Sequence, residues 1–205
     1  MTRRVVLATG NRKKLVELER ILQGLEIVLV PMTDLDLQEP VEDGASFEAN
    51  ALIKARAACA GSGLPALADD SGLEVDALVG APGVYSARYA GTGHPDRQDN
   101  DDANNRKLLA DLEGQQDRAA RFVCVAALVL PDGRSWTERG TMEGRILEAP
   151  QGAQGFGYDP FFVSDGESRT NAELSPQEKD ARSHRGIAFR AMRIHVAEHL
   201  AAQAS

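Results

Sequence analysis

The sequence has no long apolar run, almost no sulfur chemistry and a deficit of positive charge. No stretch approaches the roughly 18 consecutive apolar residues that span a bilayer, and Met1-Thr2-Arg3-Arg4 leads directly into a strand-like segment instead of a signal-peptide core. A cytoplasmic protein with no membrane association is expected. There are only two cysteines, Cys59 in a helical pattern and Cys124 in an apolar strand, without metal-ligand spacing; both read as reduced packing residues. The net charge of -8 works against nucleic-acid binding, which needs a basic face to displace counterions around phosphates. Internal repeats and low-complexity segments are missing too, so no solenoid or linker divides the chain.

What remains is enough for a real core. With 205 residues and 42% hydrophobic content, the chain fits one α/β unit, residues 1–205, with two lobes. A small anion stays compatible with the acidic balance, because screening over about 8 Å lets a local cluster of cations dominate a pocket. The first such cluster is Thr9-Gly10-Asn11-Arg12-Lys13-Lys14. It joins a predicted strand at Arg4 to Ala8 to a helix at Lys14 to Leu22. Free amides at a helix start attract phosphate, and cations placed there oppose the helix dipole unless an anion lies among them.

Two adjacent carboxylates, Asp69 and Asp70, stand in Ala68-Asp69-Asp70-Ser71-Gly72, where one strand is expected to end and another to begin. The pair has two readings: a solvated turn, or a charge centre that needs a cation or serves in acid/base chemistry. Upstream, the acidic, proline-punctuated connection from Pro31 to Gly44 carries Glu42 and Asp43, either solvated or able to share a cation with Asp70. Ser46 caps a predicted helix from Phe47 to about Ala60, on which Asn50 and Lys54 share a face. Lys54 is either an exposed solubilising residue or a cation aimed into a cleft.

The polar stretch from His94 to Asn100 reads as a loop before a helix at Ala103 to Leu112, and Arg121 to Leu130 as a central strand covered on both faces. Strand is expected again from Ser135 to Leu147, broken at Gly140 and Gly144. Gly152 to Asp159 is a glycine-rich loop whose Phe156 and Tyr158 either stack on a base or fold inward. Ser175-Pro176 starts a helix containing Lys179. Ser183-His184-Arg185-Gly186 then breaks into a final helix, with His184 and Arg185 as anion or base readers or as surface decoration.

Five segments in this order resemble the Ham1/inosine-triphosphatase family: TGNRKK at Thr9 to Lys14, Phe47 to Ala55, ADDSGLEVDALVGAPGVYSARY at Ala68 to Tyr89, GFGYDP at Gly155 to Pro160, and SHRG at Ser183 to Gly186. The resemblance covers nearly the full length. It implies an elongated mixed β-sheet flanked by helices, two lobes around a central cleft, and a homodimer. It also implies Mg2+-dependent hydrolysis of non-standard purine nucleotides (ITP, dITP, XTP) to the monophosphate and pyrophosphate. Carried over by position, Thr9, Gly10, Asn11, Arg12, Lys13 and Lys14 would cradle the triphosphate and Lys54 would face it. Asp70 would be proton acceptor and metal ligand, with Glu42 as second ligand. Ser71, Phe156, Gly157, Tyr158, Asp159, Lys179, His184 and Arg185 would surround the substrate, the later ones around the base.

Lys13 stands where the family often has a small residue, and Ala49 where it often has Glu. Two other readings share parts of this pattern: a Maf-like pyrophosphatase acting on modified pyrimidine or methylated nucleotides, and a nucleotide-binding regulator without turnover.

Overall fold

In the computed structural model, residues 3–91 and 96–201 are described. His94 lies outside them. Six strands form one mixed sheet in the order β2-β1-β3-β4-β5-β6. They are β1 (Arg3–Leu7), β2 (Ile27–Pro31), β3 (Ala66–Val75), β4 (Ala119–Val129), β5 (Ser135–Ile146) and β6 (Phe162–Ser164). β1 pairs in parallel with β2 and β3, and β5 pairs antiparallel with β6. The helices are α1 (Arg12–Ile21), α2 (Phe47–Ser62), α3 (Arg97–Asp111), α4 (Pro176–Arg182) and α5 (His184–Ala201).

By compactness the chain divides into two units. The first holds residues 1–70, 124–140 and 184–205, and the second residues 71–123 and 141–183. Each has its own apolar core. In the first, Leu18 and Leu22 from the α1 segment and Phe189, Met192 and Val196 of α5 cover Val5, Leu7, Leu67 and Cys124. In the second, Leu73, Val75, Leu108, Phe122, Tyr158 and Phe162 pack together.

Three elements differ from the sequence expectation. Asp69-Asp70 is not a turn; it lies inside β3, which runs unbroken from Ala66 to Val75. Turn-forming residue types yield here because every residue from Ala66 to Asp70 is buried and the buried side chains have partners. α3 begins at Arg97, capped by the Asp96 carboxylate accepting from the Gln98 and Asp99 amides, so the supposed loop is partly helix.

Nor do Gly140 and Gly144 break β5. They are places of close approach: a Cβ on Gly140 would lie 2.2 Å from the His184 carbonyl oxygen, and one on Gly144 2.2 Å from that of Val163. Since both obstacles are backbone, Gly140→Ala or Gly144→Ala is expected to destabilise the protein by about 1–3 kcal/mol or more, read as a lower midpoint in chemical unfolding.

Candidate active site

The first unit gathers its charges around the middle of β3. Successive residues of a strand face opposite sides of the sheet, so the two neighbouring aspartates point apart and each meets its own cations. Asp69 shares the side of Leu67, towards α1 and α5. Its Oδ2 accepts from Lys14 Nζ at 3.0 Å and from Arg185 Nε and a terminal guanidinium nitrogen at 3.3 Å each. Arg185 also donates to Glu17 at 2.6 Å. The Asp69 side chain is fully buried and Arg185 is 2% exposed, so this is an internal ion cluster.

Burial by itself raises the Asp69 carboxyl, but Lys14, then Arg185 and Lys54, outweigh it and hold the group far below the usual carboxylate range. Burial dominates at Lys14, whose ammonium is pulled down despite Asp69. Next to them the Cys124 thiol is pushed up, by burial and then by the Asp69 charge, which makes it an inert packing residue. Asp69 Oδ1 is buried with no hydrogen-bond partner among the described residues.

Asp70 takes the other side, with Ala66 and Ala68, towards α2. Ser46 caps that helix by accepting from the Ala49 amide, and Gly63 ends it with φ +68°. Alanines on the buried face let α2 lie close, and Asn50 and Lys54 share that face. Lys54 Nζ contacts Asp70 Oδ1 at 3.1 Å and Glu42 Oε1 at 3.3 Å. Burial lowers the Lys54 ammonium, but Asp70, Asp69 and Glu42 together raise it above the ordinary lysine value. Asn50 donates to Asp70 Oδ2 at 3.1 Å and accepts from the Gly44 amide at 2.8 Å. One amide side chain thus ties the acidic connection that bears Glu42 to the strand that bears Asp70.

The loop before α1 completes this group. The Asn11 side chain accepts from the Lys13 and Lys14 amides and caps the helix, whose first turn holds Arg12, Lys13 and Lys14 and no acid. Thr9 Oγ1 accepts from the Asn11 amide at 3.1 Å. The Gly10 amide donates to Glu39 at 2.8 Å, so a carboxylate already sits on a backbone donor of this loop. Asn11 Nδ2 is buried with no acceptor among the described residues. An unmatched buried donor costs about 1–3 kcal/mol, and at a cationic helix start an incoming anion would satisfy it.

The model of the Ham1 family matches residues 5–195 of the chain, a span that includes all of this charge group. The chain belongs to the Ham1 family. A dITP/XTP pyrophosphatase of Frankia alni is 54% identical over 191 residues, covering 91% of this chain and 94% of that protein; one of Deinococcus deserti is 51% identical, covering 93% and 88%. The structure of a HAM1 protein from Coxiella burnetii matches with a TM-score of 0.86 at 44% identity, over 96% of this chain and 99% of that one. A nucleoside-triphosphatase/dITP/XTP pyrophosphatase from Mycobacterium abscessus matches at 0.74 and 49%, over 92% and 98%.

In the second unit of this Ham1 protein, Asp159 organises the glycine-rich loop. Its buried carboxylate accepts from the Phe156 amide at 2.9 Å, Lys179 Nζ at 2.6 Å and Asn171 Nδ2 at 3.3 Å. Lys179 sits on α4, whose start is fixed by a reciprocal Ser175–Glu178 cap with Pro176 in the first turn. Its ammonium also lies 4.9 Å from the Phe156 ring centre. The Gly157 amide donates to Asp101 and its carbonyl accepts from Asn105. Tyr158 folds inward: it is 5% exposed and its hydroxyl donates to the Ser86 carbonyl at 2.8 Å, which leaves Phe156 as the loop's half-buried aromatic. Ser71, half-buried, follows Asp70 on β3.

His184 and Arg185 lie on the first turn of α5, in the first unit, where Arg185 donates to Asp69 and Glu17. Residues to which the sequence assigns no role in the site include Asn50 and Glu17. Asn50 was visible as the neighbour of Lys54 one turn away. Glu17 had a fainter signal, an acid three residues after Lys14 and next to the apolar Leu18.

Proposed function

We propose that this protein is a hydrolase of non-standard purine nucleoside triphosphates (ITP, dITP, XTP), cleaving between the α and β phosphates to give the monophosphate and pyrophosphate with Mg2+ as cofactor. The observation that carries the reading is the charge group of the first unit. The capped cationic start of α1, the Lys14–Asp69 pair and the Lys54–Asp70–Glu42 triple surround one short stretch of β3. The names of the family relatives support the substrate class.

The residues fit a hard divalent ion. Asp70 and Glu42 are oxygen donors that already converge on one positive charge, the Lys54 ammonium. These two would hold Mg2+, which when bound spreads the charge developing on phosphate oxygens. Asp70 accepts the proton of the attacking water. The water oxygen bonds to the α-phosphorus, the bond to the bridging oxygen breaks, and pyrophosphate leaves with the electron pair. Arg12, Lys13 and Lys14, with the helix-start amides and Asn11 Nδ2, donate to the polyphosphate, while Lys54 balances charge beside Asp70. Arg185 holds Asp69, which in turn fixes Lys14.

Base selection falls to Phe156 and Lys179. The ring stacks on the purine, and the ammonium is a donor-only group suited to the 6-carbonyl of hypoxanthine or xanthine and unsuited to the amino group of adenine. Purified protein given ITP, XTP, GTP, ATP and a pyrimidine triphosphate, with and without Mg2+, is expected to release pyrophosphate fastest from ITP and XTP and only with the metal. A pyrimidine preference, or tight binding without release, overturns the reading. Phe156→Ala is expected to raise KM for ITP about tenfold or more through lost stacking, with a smaller change in kcat.

A further inference from the structure

Away from this centre, α5 and the start of β5 bring together a second set of ligand atoms, in the first unit. His195 and His199 are one helical turn apart, and one ring nitrogen from each and a carboxylate oxygen of Glu198 lie within 4.8 Å of one another. The sequence here is His-Val-Ala-Glu-His, a spacing that puts two imidazoles and a carboxylate together on a helix.

The rings are held in place. Trp136 stacks on His199 at 4.1 Å and 17°, and on His195 at 5.9 Å and 23°, so the imidazoles are within 8° of parallel. Glu138, two residues along β5 from Trp136, bonds His195 Nε2 at 2.8 Å. A carboxylate on one ring nitrogen fixes orientation and raises the basicity of the other, as the outer partners of metal-bound histidines do. His195 Nδ1 is buried with no partner among the described residues. Whichever tautomer forms, the ring therefore has hydrogen-bonding or ligating capacity that the protein leaves unused.

We propose that His195, Glu198 and His199 form a binding site for a borderline transition-metal ion of the Zn2+, Ni2+ or Cu2+ class, separate from the Mg2+ chemistry of the aspartate centre. Two imidazole nitrogens and a carboxylate select such ions over Mg2+, which requires an all-oxygen octahedron. Tetrahedral Zn2+ with bonds of about 2.0–2.1 Å needs donor atoms closer together than they now stand. Glu198, with its side chain 62% exposed, has room to rotate towards a bound ion, and the two imidazoles, one helical turn apart, close the rest of the gap by small side-chain rotations. Hydrolysis of nucleotides does not use these residues.

Trp136 is the sole tryptophan of the chain and touches both rings, so it reports on the site without interference. Full-length protein freed of metal is titrated with Cu2+ while Trp136 emission is followed, then with Zn2+ in competition and Mg2+ as control. Saturable one-to-one quenching is expected, reversed by Zn2+ and untouched by Mg2+. In His195→Gln/His199→Gln the apparent affinity is expected to fall at least about tenfold, with an unfolding midpoint close to that of the parent. His199→Gln alone is the second variant, should the double one fail to fold. Absence of saturable quenching in the parent, or undiminished quenching in a folded variant, overturns the proposal.

Discussion

Asp70→Asn is expected to lower turnover of ITP by at least about a thousandfold while the protein stays folded. The substitution keeps the shape, and an amide oxygen can still accept from Lys54 or Asn50, so the contacts at 3.1 Å have a substitute. What disappears is the negative charge, and with it both the proton acceptor and one of two oxygens for a hard cation. Pyrophosphate release with ITP and Mg2+, alongside the thermal midpoint, separates loss of chemistry from loss of fold. Substantial residual activity would remove Asp70 from the mechanism.

The second large effect concerns stability. Arg185→Met is expected to cost about 3–5 kcal/mol, the range for breaking a buried ion cluster from one side. It would strand Glu17 and Asp69, a nearly buried and a fully buried carboxylate, which share this guanidinium at 2.6 Å and 3.3 Å. Among its hydrogen-bonded cations only Lys14 would then remain at Asp69, with Lys54 acting from further away. Adding Glu17→Gln and Asp69→Asn should recover part of the loss, since an uncharged cluster has less to compensate. Denaturant titration measures each; an Arg185→Met protein as stable as its parent would show that the guanidinium is not holding Asp69.

The same cluster sets a pH dependence. Unfolded Asp69 takes up a proton near its ordinary value of 3.8, whereas the folded carboxyl is held lower by its cations. The unfolded state therefore binds more protons in that window, and stability is present above it and lost as pH falls. Acid unfolding of Asp69→Asn should be correspondingly shallower than that of the parent.

Much of this architecture was legible in the chain. Local rules were enough for α2 and α4, because Ser46 and Ser175 are capping residues ahead of helical patterns and a cap acts over three residues; α1 was expected from Lys14 but starts at Arg12, on the Asn11 cap. Apolar runs marked β1 and β4 by the same short-range logic. The Asp69-Asp70 pair defeated it: acid-acid-Ser-Gly is good turn chemistry, and only partners more than fifty positions away in the chain, Lys14 and Arg185, make a buried strand tolerable there. The two strand glycines were misread for a related reason, as their cause is a backbone that approaches from β6 or α5.

By itself, then, the sequence determined the α/β class, the starts of α2 and α4, the family and the residue types around β3. Tertiary structure decided which way each charge faces: Asp69 inward to Lys14 and Arg185, Asp70 to Asn50 and Lys54, Tyr158 into the core, and His195 with His199 against Trp136. The reason is physical. Secondary structure and capping are short-range preferences, whereas the state of a charge or the use of a ring depends on what long-range folding places within a few ångströms of it, and on whether water remains there to compensate.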